Sequence, residues 1–271
     1  MQMGVMGAAL ATILSQIISA VLVMGSLMRT RDIYRLHLRK ISIDWIMLKR
    51  IIRIGFPAGV QSILYSVSNV IIQSAVNSLG TNNVAAWAAY GKVDGLFWMM
   101  INALGIAATT FVGQNYGAQK YDRIKDGVRM GVILSILIHI PLSAIEIFGG
   151  KRIASLMVTD PSVLELCRQY LLIVGIFVFF LGFLMVFRNC IQGMGNTWIP
   201  MLSGGLEVIS RLIFGYWLGR HSFMGIAAAE ASAWISVSIM LGSSFFILFR
   251  KVLRTQTPEN ATDTENIGRV S

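Results

Sequence analysis

A series of polar side chains recurs at every fourth residue within an apolar stretch, residues 54–91, that contains no charge. Its members are Gln61, Tyr65, Asn69, Gln73 and Asn77. Four residues advance an α-helix by about 400°, so these side chains drift slowly around one helix face. An unpaired polar group in hydrocarbon costs several kcal/mol. The pattern therefore predicts a polar helix face that contacts neighbouring helices or a water-filled cavity.

The three members of this series nearest the middle of the membrane are candidates for a substrate pathway. They are Gln61, Tyr65 and Asn69. Neutral amides and a phenol ring can bind an amphipathic cation without the desolvation cost of a fixed charge. The alternative is that the same groups only form hydrogen bonds between helices.

Four ionisable residues lie within other apolar runs, where charged side chains are costly and mark functional sites. Lys92 and Asp94 are two residues apart, about 200° on one helix, so each needs a partner on another helix. We predict that Asp94 is a proton- or cation-responsive carboxylate that Lys92 tunes or neutralises; the alternative is a structural ion pair between helices. Glu207 and Arg211 are four residues apart with the acid first, the spacing that favours a pair within one helix. We predict that this pair is structural and that it can also line the same cavity.

Other polar residues are expected to have more ordinary roles. Arg188 closes a predicted span and is expected to extend to the cytoplasmic interface. Glu146 and Glu230 lie near predicted span ends, where water reaches them. His139 stands alone on an apolar helix and is predicted to be packed there, although histidine also suits a pH switch. Pro57 is either an N-terminal feature of its helix or a flexing point beside the polar face.

The composition places the chain among membrane proteins. Of its 271 residues 55% are hydrophobic and 13% are charged, and the mean hydropathy is +0.67. The formal net charge of +10 comes from basic residues that cluster in short connections beside apolar runs, which indicates membrane topology rather than nucleic-acid binding. No metalloprotease, serine-hydrolase or phosphate-loop motif is present, so an enzyme or an ATP-driven pump is not supported.

The apolar runs predict seven membrane-spanning segments, all helical because an open sheet cannot satisfy its edges in lipid. They are residues 4–28, 54–79, 84–112, 130–148, 170–187, 199–218 and 226–249. The first and third connections and the segment after the last span are the most basic, with Arg39, Lys40, Lys120 and Lys251 among their residues. These sides are predicted to be cytoplasmic, and the connection containing Arg220 and His221 to lie outside.

The first and last predicted spans open with similar small-residue segments, residues 6–11 and 224–229. Both spans are predicted to run from outside to a basic inner end, as two halves related by an axis along the membrane normal require. The chain therefore reads as the last helix of one six-helix half followed by an entire second half.

Several short motifs resemble the second lobe of the multidrug and toxic compound extrusion (MATE) transporters. They are Gly55-Phe56-Pro57 with Gln61 and Asn69, the Leu79-Gly80 turn, Gly105 and Ala107, the G-Q-N-Y-G-A of residues 113–118, and Arg188 with the Q-G-M-G-N-T of residues 192–197. The resemblance covers nearly the whole chain to about residue 254. The resemblance implies that the whole transporter has twelve helices in two lobes. This chain is therefore expected to lack about five helices at its start, through truncation or an incomplete gene product.

The resemblance and the charge pattern together predict four parts. Residues 1–28 are the last helix of the first lobe, residues 29–53 a basic cytoplasmic linker between lobes, residues 54–254 the second six-helix lobe, and residues 255–271 a disordered polar tail. The implied location is the cell inner (plasma) membrane, with the inter-lobe loop and the C-terminus cytoplasmic.

The resemblance also implies a function and its partners. The function is secondary active antiport, which exports organic cations or drugs in exchange for protons or sodium by alternating access. The implied partners are organic cations, the lipid bilayer and the missing N-terminal lobe, with no nucleic acid, no metal site and no cofactor beyond the coupling ion. Sodium-coupled members often carry a glutamate in the helix equivalent to residues 54–79 and an aspartate in that equivalent to residues 170–187; this chain has neither, which leaves the coupling ion open. The alternatives are a lipid-linked precursor or polysaccharide flippase, or a non-transporting truncated remnant.

Overall fold

The computed structural model of the chain describes residues 4–32, 35–38, 42–219 and 222–254. Within these residues the secondary structure is helical without strands, which confirms the predicted all-α membrane fold. The helices are α1 (Gly4–Arg29), α2 (Trp45–Ser78), α3 (Thr81–Gly117), α4 (Tyr121–Ala144), α5 (Gly150–Ala154), α6 (Pro161–Gly193), α7 (Trp198–Phe214) and α8 (Phe223–Arg254). Two π-helical turns, Ile145–Gly149 and Gly215–Gly219, continue α4 and α7. Arg39, Lys40, Arg220, His221 and the predicted tail, residues 255–271, lie outside the described residues.

Among the residues that the structure describes, five helical segments are long and apolar enough to cross a membrane. They are Ala9–Arg29, Phe97–Gly117, Tyr121–Ala154, Pro161–Gly193 and Phe223–Leu253. The predicted spans 54–79 and 199–218 do not reach the same length and apolarity. The first carries the polar series, and the α-helical part of the second, α7, is only 17 residues long.

The chain divides into two compact units between Arg50 and Ile51. In the first unit, the connection that follows α1 returns hydrogen bonds to the C-terminal end of that helix. The side chain of Arg35 donates to the carbonyl oxygen of Met28 (3.2 Å). The main-chain N–H of Leu36 donates to the carbonyl oxygen of Leu27 (3.0 Å). These bonds satisfy carbonyl groups that the helix itself leaves without partners.

Two aspartates cap helices of the chain. Asp44 accepts from the main-chain N–H groups of Ile46 (2.8 Å) and Met47 (3.2 Å), so α2 begins at Trp45. Residues 45–53, predicted to be linker, are therefore the first turns of α2. Asp160 caps α6 in the same way, and hydrogen bonds from Ser162 hold the pKa of Asp160 below its usual range. This cap stabilises the folded chain at neutral pH and weakens as the carboxyl protonates in acid.

Two glycines in the left-handed region form the predicted turns between helices. Gly80 has a φ of 98° between α2 and α3, and Gly195 has a φ of 81° between α6 and α7. Side chains with a Cβ rarely adopt such angles, so both sharp reversals depend on glycine. The first turn connects α2 to α3, and the second connects α6 to α7.

The core of the second unit is built around α6. This helix packs against α3, α4, α5 and α8, and α7 packs against α8. Apolar residues on several sides of α6 are buried, among them Leu171, Val174, Val178 and Leu184. An apolar surface on all sides is the pattern expected of a helix enclosed by others.

His139 is packed in this core, as the sequence predicts. Its Nδ1 lies 2.6 Å from the carbonyl oxygen of Ser135, one turn earlier on α4. The ring lies against Gly182 of α6, where an added Cβ would collide with the His139 ring and the Ser135 hydroxyl. The absence of a side chain at residue 182 is what allows α4 and α6 to approach each other.

We predict that Gly182→Ala destabilises the folded chain by about 1–3 kcal/mol, the usual cost of overpacking a core. Cys167 and Cys190 are both buried, so a thiol-reactive dye reports thermal unfolding in detergent. The matched control is Gly205→Ala, because an added Cβ there meets nothing within 4 Å. Equal unfolding midpoints for the two variants would show that the contact of α4 with α6 is not tight.

Candidate functional site

A cavity of about 230 Å³ lies among α2, α3, α6, α7 and α8. Its walls combine charged, aromatic and apolar side chains. They include Tyr65, Asn69, Trp87, Tyr90, Asp94, Trp98, Met185, Arg188, Glu207, Arg211, Glu230 and Trp234. Five of the residues predicted from sequence meet here: Tyr65, Asn69, Asp94, Glu207 and Arg211.

Arg211 has partners on three helices. Its Nη2 lies 3.2 Å from Glu207 Oε1 on α7 and 3.4 Å from Glu230 Oε1 on α8. Its Nη1 donates to Ser68 Oγ (3.0 Å) and Asn69 Oδ1 (3.1 Å), both on α2. Arg211 is only 3% exposed, and a buried guanidinium is tolerated only where such partners offset its desolvation. The pair of Glu207 with Arg211 predicted from their spacing is confirmed.

Two further contacts extend this arrangement. Arg188 Nη2 on α6 donates to Glu207 Oε2 at 3.3 Å, and the hydroxyl of Tyr170 donates to Glu230 Oε2 at 2.7 Å. We call Arg188, Glu207, Arg211 and Glu230 the charge network. Its two cations and two anions alternate, so its formal charge sums to zero.

Asp94 lies in the same cavity but outside the charge network. No ion pair involves Asp94 within the described part of the chain, so the predicted partner on another helix is not found there. Lys92 is exposed and does not line this cavity, so the described residues show no contact through which it would tune or neutralise Asp94 as predicted. Asp94 is therefore the carboxylate that gives this cavity a formal charge of −1 when ionised.

Aromatic rings line much of the cavity around Asp94. Tyr65 and Trp98 meet edge to face with ring centroids 6.0 Å apart, and Trp87 and Tyr90 lie 5.4 Å apart. Trp234 contributes a further ring from α8. The faces of Trp and Tyr rings attract organic cations, so these walls and Asp94 favour the same kind of ligand.

Gln61 lines a second cavity of about 210 Å³ beside the first. The two cavities share Tyr65, Trp98, Met185, Arg188 and Glu207 as walls. The side chain of Gln61 also accepts a hydrogen bond from Gln192 Nε2 at 3.0 Å, which ties α2 to α6. This amide therefore lines a cavity and also bonds between helices, and its role in a substrate pathway stays a prediction.

Three expectations about single residues are wrong. Arg188 does not extend to an interface, because it is 7% exposed and bound to Glu207. Glu230 and Glu146, expected near water, are 6% and 1% exposed. Hydropathy locates where an apolar run ends, whereas burial here depends on neighbouring helices that continue past that point. The signal that could have found Glu230 is its setting among small residues, which allow close helix packing.

Pro57 lies inside α2, twelve residues after its first residue, and the helix continues through it. The interpretation of Pro57 as an N-terminal feature is therefore excluded. Proline lacks the N–H that would bond to the carbonyl oxygen of Arg53, so the helix is weakened at this point. A conformational hinge at Pro57 stays a prediction.

We predict that Arg211→Met destabilises the folded chain by about 3–5 kcal/mol, because it leaves the buried Glu230 without its cation and Glu207 with Arg188 alone. Thermal unfolding with the thiol-reactive dye measures this loss. The matched control is Arg168→Met, which removes an exposed arginine paired with Glu165 and should leave the midpoint nearly unchanged. A similar midpoint for both variants would contradict the structural importance of the network.

Comparison with known proteins identifies the family. The MatE family model matches residues 57–217, more than half of the chain. The probable multidrug resistance protein NorM of Thermotoga maritima is 26% identical over 251 residues, which cover 92% of this chain and 53% of that protein. The multidrug export protein MepA of Staphylococcus aureus is 25% identical over 225 residues, or 79% of this chain and 49% of that protein.

A solved structure shows the same fold. The outward-facing conformation of a multidrug resistance MATE family transporter superposes with a TM-score of 0.85 at 19% identity, over 94% of this chain and 59% of that one. The chain spans about half the length of the curated relatives it matches. By the family model and the relatives together, the chain belongs to the MATE family, as its motifs predicted.

Proposed function

We propose that this chain supplies one lobe of an exporter that moves amphipathic organic cations out of the cell in exchange for protons or sodium. The observation that carries the proposal is the charge balance of the cavity. The network cancels its own charges, whereas Asp94 adds a negative charge among aromatic rings. Such a cavity favours a flat or bulky cation over an anion.

The size of the cavity supports the idea that a further wall completes the site. Ligand pockets usually measure about 300–1,000 Å³, and this cavity of about 230 Å³ lies below that range. In related transporters with two repeats, binding sites form at the interface between the repeats. We therefore propose that a second lobe contributes the remaining contacts to the transported molecule.

The proposed mechanism is alternating access with competition at Asp94. In one state the carboxylate holds the organic cation, and in the other it holds the coupling proton or sodium ion. A ligand shifts a conformational equilibrium only through its different affinity for the two states. Exchange at Asp94 supplies that difference, and rocking of the two lobes then exposes the site to the outside. Pro57 is a proposed flexing point in α2 during this motion.

The basic connections give the proposed orientation in the inner membrane. Lys49 and Arg50 before the polar part of α2, and Lys120 and Arg123 near the start of α4, are placed on the cytoplasmic side. The connection at Gly80 has no basic residue and is placed outside. These assignments put the C-terminal end of α8 in the cytoplasm.

A flippase for lipid-linked precursors is less well supported. Such a protein needs uncompensated positive charge for a phosphate-bearing substrate. Arg188 and Arg211 are the arginines that line the cavity, and both are paired with glutamates. A non-transporting remnant would keep this cavity without moving any substrate, so only a transport assay separates it from an exporter.

We predict that Asp94→Asn lowers efflux of a fluorescent organic cation at least about 10-fold, as expected if about 1.4 kcal/mol of attraction for the cation is lost. Asparagine has nearly the same shape as aspartate but carries no charge, so the substitution removes the charge alone. The measurement is dye efflux from membrane vesicles under imposed proton or sodium gradients, with membrane content checked by immunoblot. The gradient that drives efflux also identifies the coupling ion.

The matched control for this assay is Asp122→Asn, an exposed aspartate in the first turn of α4. It should transport like the unmodified protein. Equal efflux by Asp94→Asn and Asp122→Asn would remove Asp94 from the mechanism. No efflux by the unmodified protein under either gradient, despite normal membrane content, would favour the remnant.

A further inference from the structure

Another buried acid lies away from the cavity, where α4 passes into its π-helical turn. Glu146 is the second residue of the turn Ile145–Gly149 and is 1% exposed. Neither of its carboxyl oxygens has a hydrogen-bond partner among the described residues. It does not line the two cavities that contain the predicted site residues.

The carboxyl group of Glu146 packs against the main chain of α6. An added Cβ at Gly175 would lie 3.3 Å from Glu146 Oε2, so glycine at residue 175 leaves the space that the carboxyl occupies. The nearby hydroxyl of Ser143 donates to the carbonyl oxygen of Gly175 at 2.6 Å. The hydroxyl proton of Ser143 is therefore bonded to Gly175 and is not donated to Glu146.

No cation of the surrounding helices compensates Glu146 within the described chain. Lys151 and Arg152 of α5 are exposed, and Lys151 lies 3.8 Å from Glu165. The titratable groups within the surrounding helices include Tyr90 and Asp94 on α3, His139 on α4, and Cys167 and Tyr170 on α6. Tyr170 donates to Glu230, and His139 bonds within its own helix.

These surroundings determine which form of the acid the site accepts. Burying an ionised carboxylate costs several kcal/mol even after the protein relaxes, unless a cation or hydrogen-bond donors offset the cost. Glu146 has neither. The neutral acid avoids this cost and packs against Gly175 as a polar but uncharged group.

We propose that Glu146 is a proton-binding site of this lobe, separate from Asp94, which holds a proton in the conformation described here. The ligand is the proton itself. This inference does not depend on the proposed transport function, because it concerns the chemical state of one buried group. Glu146 would then be a second acid, besides Asp94, whose protonation can be linked to the conformation of the protein.

The π-helical turn offers a route by which the proton can leave. Such turns contain one extra residue and often mark functional sites. Conversion of the turn to regular α-helix would rotate the residues on one side of it by about 100° relative to the other. Such a rotation would move Glu146 away from Gly175 and change its access to water.

The test is infrared spectroscopy of the protein in detergent at neutral pH. A protonated carboxyl without hydrogen bonds gives a C=O stretching band well separated from ionised carboxylates. The spectrum of the unmodified protein minus that of Glu146→Gln should contain such a band, equivalent to one carboxyl per chain. The matched control is Glu165→Gln, a partly exposed glutamate on α6 that is paired with Arg168, which should remove only carboxylate absorption.

If Glu146→Gln instead removes an ionised carboxylate band, the proposal is wrong. Thermal unfolding shows whether the variant folds, and an amide that replaces a neutral acid should leave the midpoint nearly unchanged. If the Glu146→Gln variant does not fold, the unmodified protein is treated with a lipophilic carbodiimide, a reagent that modifies protonated carboxyl groups. The labelled peptides are then mapped by mass spectrometry, and unfolded protein serves as the reference. Modification of Glu146 supports the proposal, and labelling only after unfolding contradicts it. Neither readout depends on efflux, so failure of the antiport proposal would remain distinguishable.

Discussion

The burial of Arg211 is the constraint on which the site depends. A guanidinium in a membrane protein interior must have its charge and its donors satisfied, or the helix that carries it is not stable there. Glu207, Glu230, Ser68 and Asn69 satisfy it from α7, α8 and α2. One side chain therefore fixes the mutual positions of three helices. Arg188 adds α6 through Glu207.

The same requirement shapes the chemistry of the cavity. Because each fixed cation is matched by an anion, the network contributes polarity without net charge. In the proposed function, Asp94 then determines the sign of the ligand that the cavity prefers, and the surrounding rings of Trp87, Tyr90 and Trp98 favour an organic cation. The names of the curated relatives, which are probable multidrug resistance and multidrug export proteins, agree with this preference without assigning a substrate to this chain.

Local spacing made some of the site predictable. The interval between Glu207 and Arg211 indicated their pair, and the interval between Lys92 and Asp94 indicated that they would not meet. The partnership of Arg211 with Glu230 joins residues on different helices, and no pattern within one helix reports it. Gly80 and Gly195 marked turns correctly because a left-handed backbone strongly favours glycine.

The errors share a physical origin. Arg188, Glu146 and Glu230 were placed near water because their apolar runs end close by. In the structure the helices extend further and enclose one another, as when α6 continues to Gly193 and α4 continues through a π-helical turn. Such turns depend on tertiary packing and leave no clear mark on hydropathy. The linker predicted for residues 29–53 overlaps the start of α2 for a different reason, since hydropathy and charge do not report the helix cap formed by Asp44.

The central claim is that Asp94, and not the paired arginines, sets the charge preference of the cavity. The most direct measurement is equilibrium binding of tetraphenylphosphonium and tetraphenylborate to the purified protein, because the two ions have nearly the same shape and opposite charge. The account predicts that the cation binds at least about 10-fold more tightly, a difference of about 1.4 kcal/mol, and that Asp94→Asn removes the preference. Equal or tighter binding of the anion by the unmodified protein would contradict it.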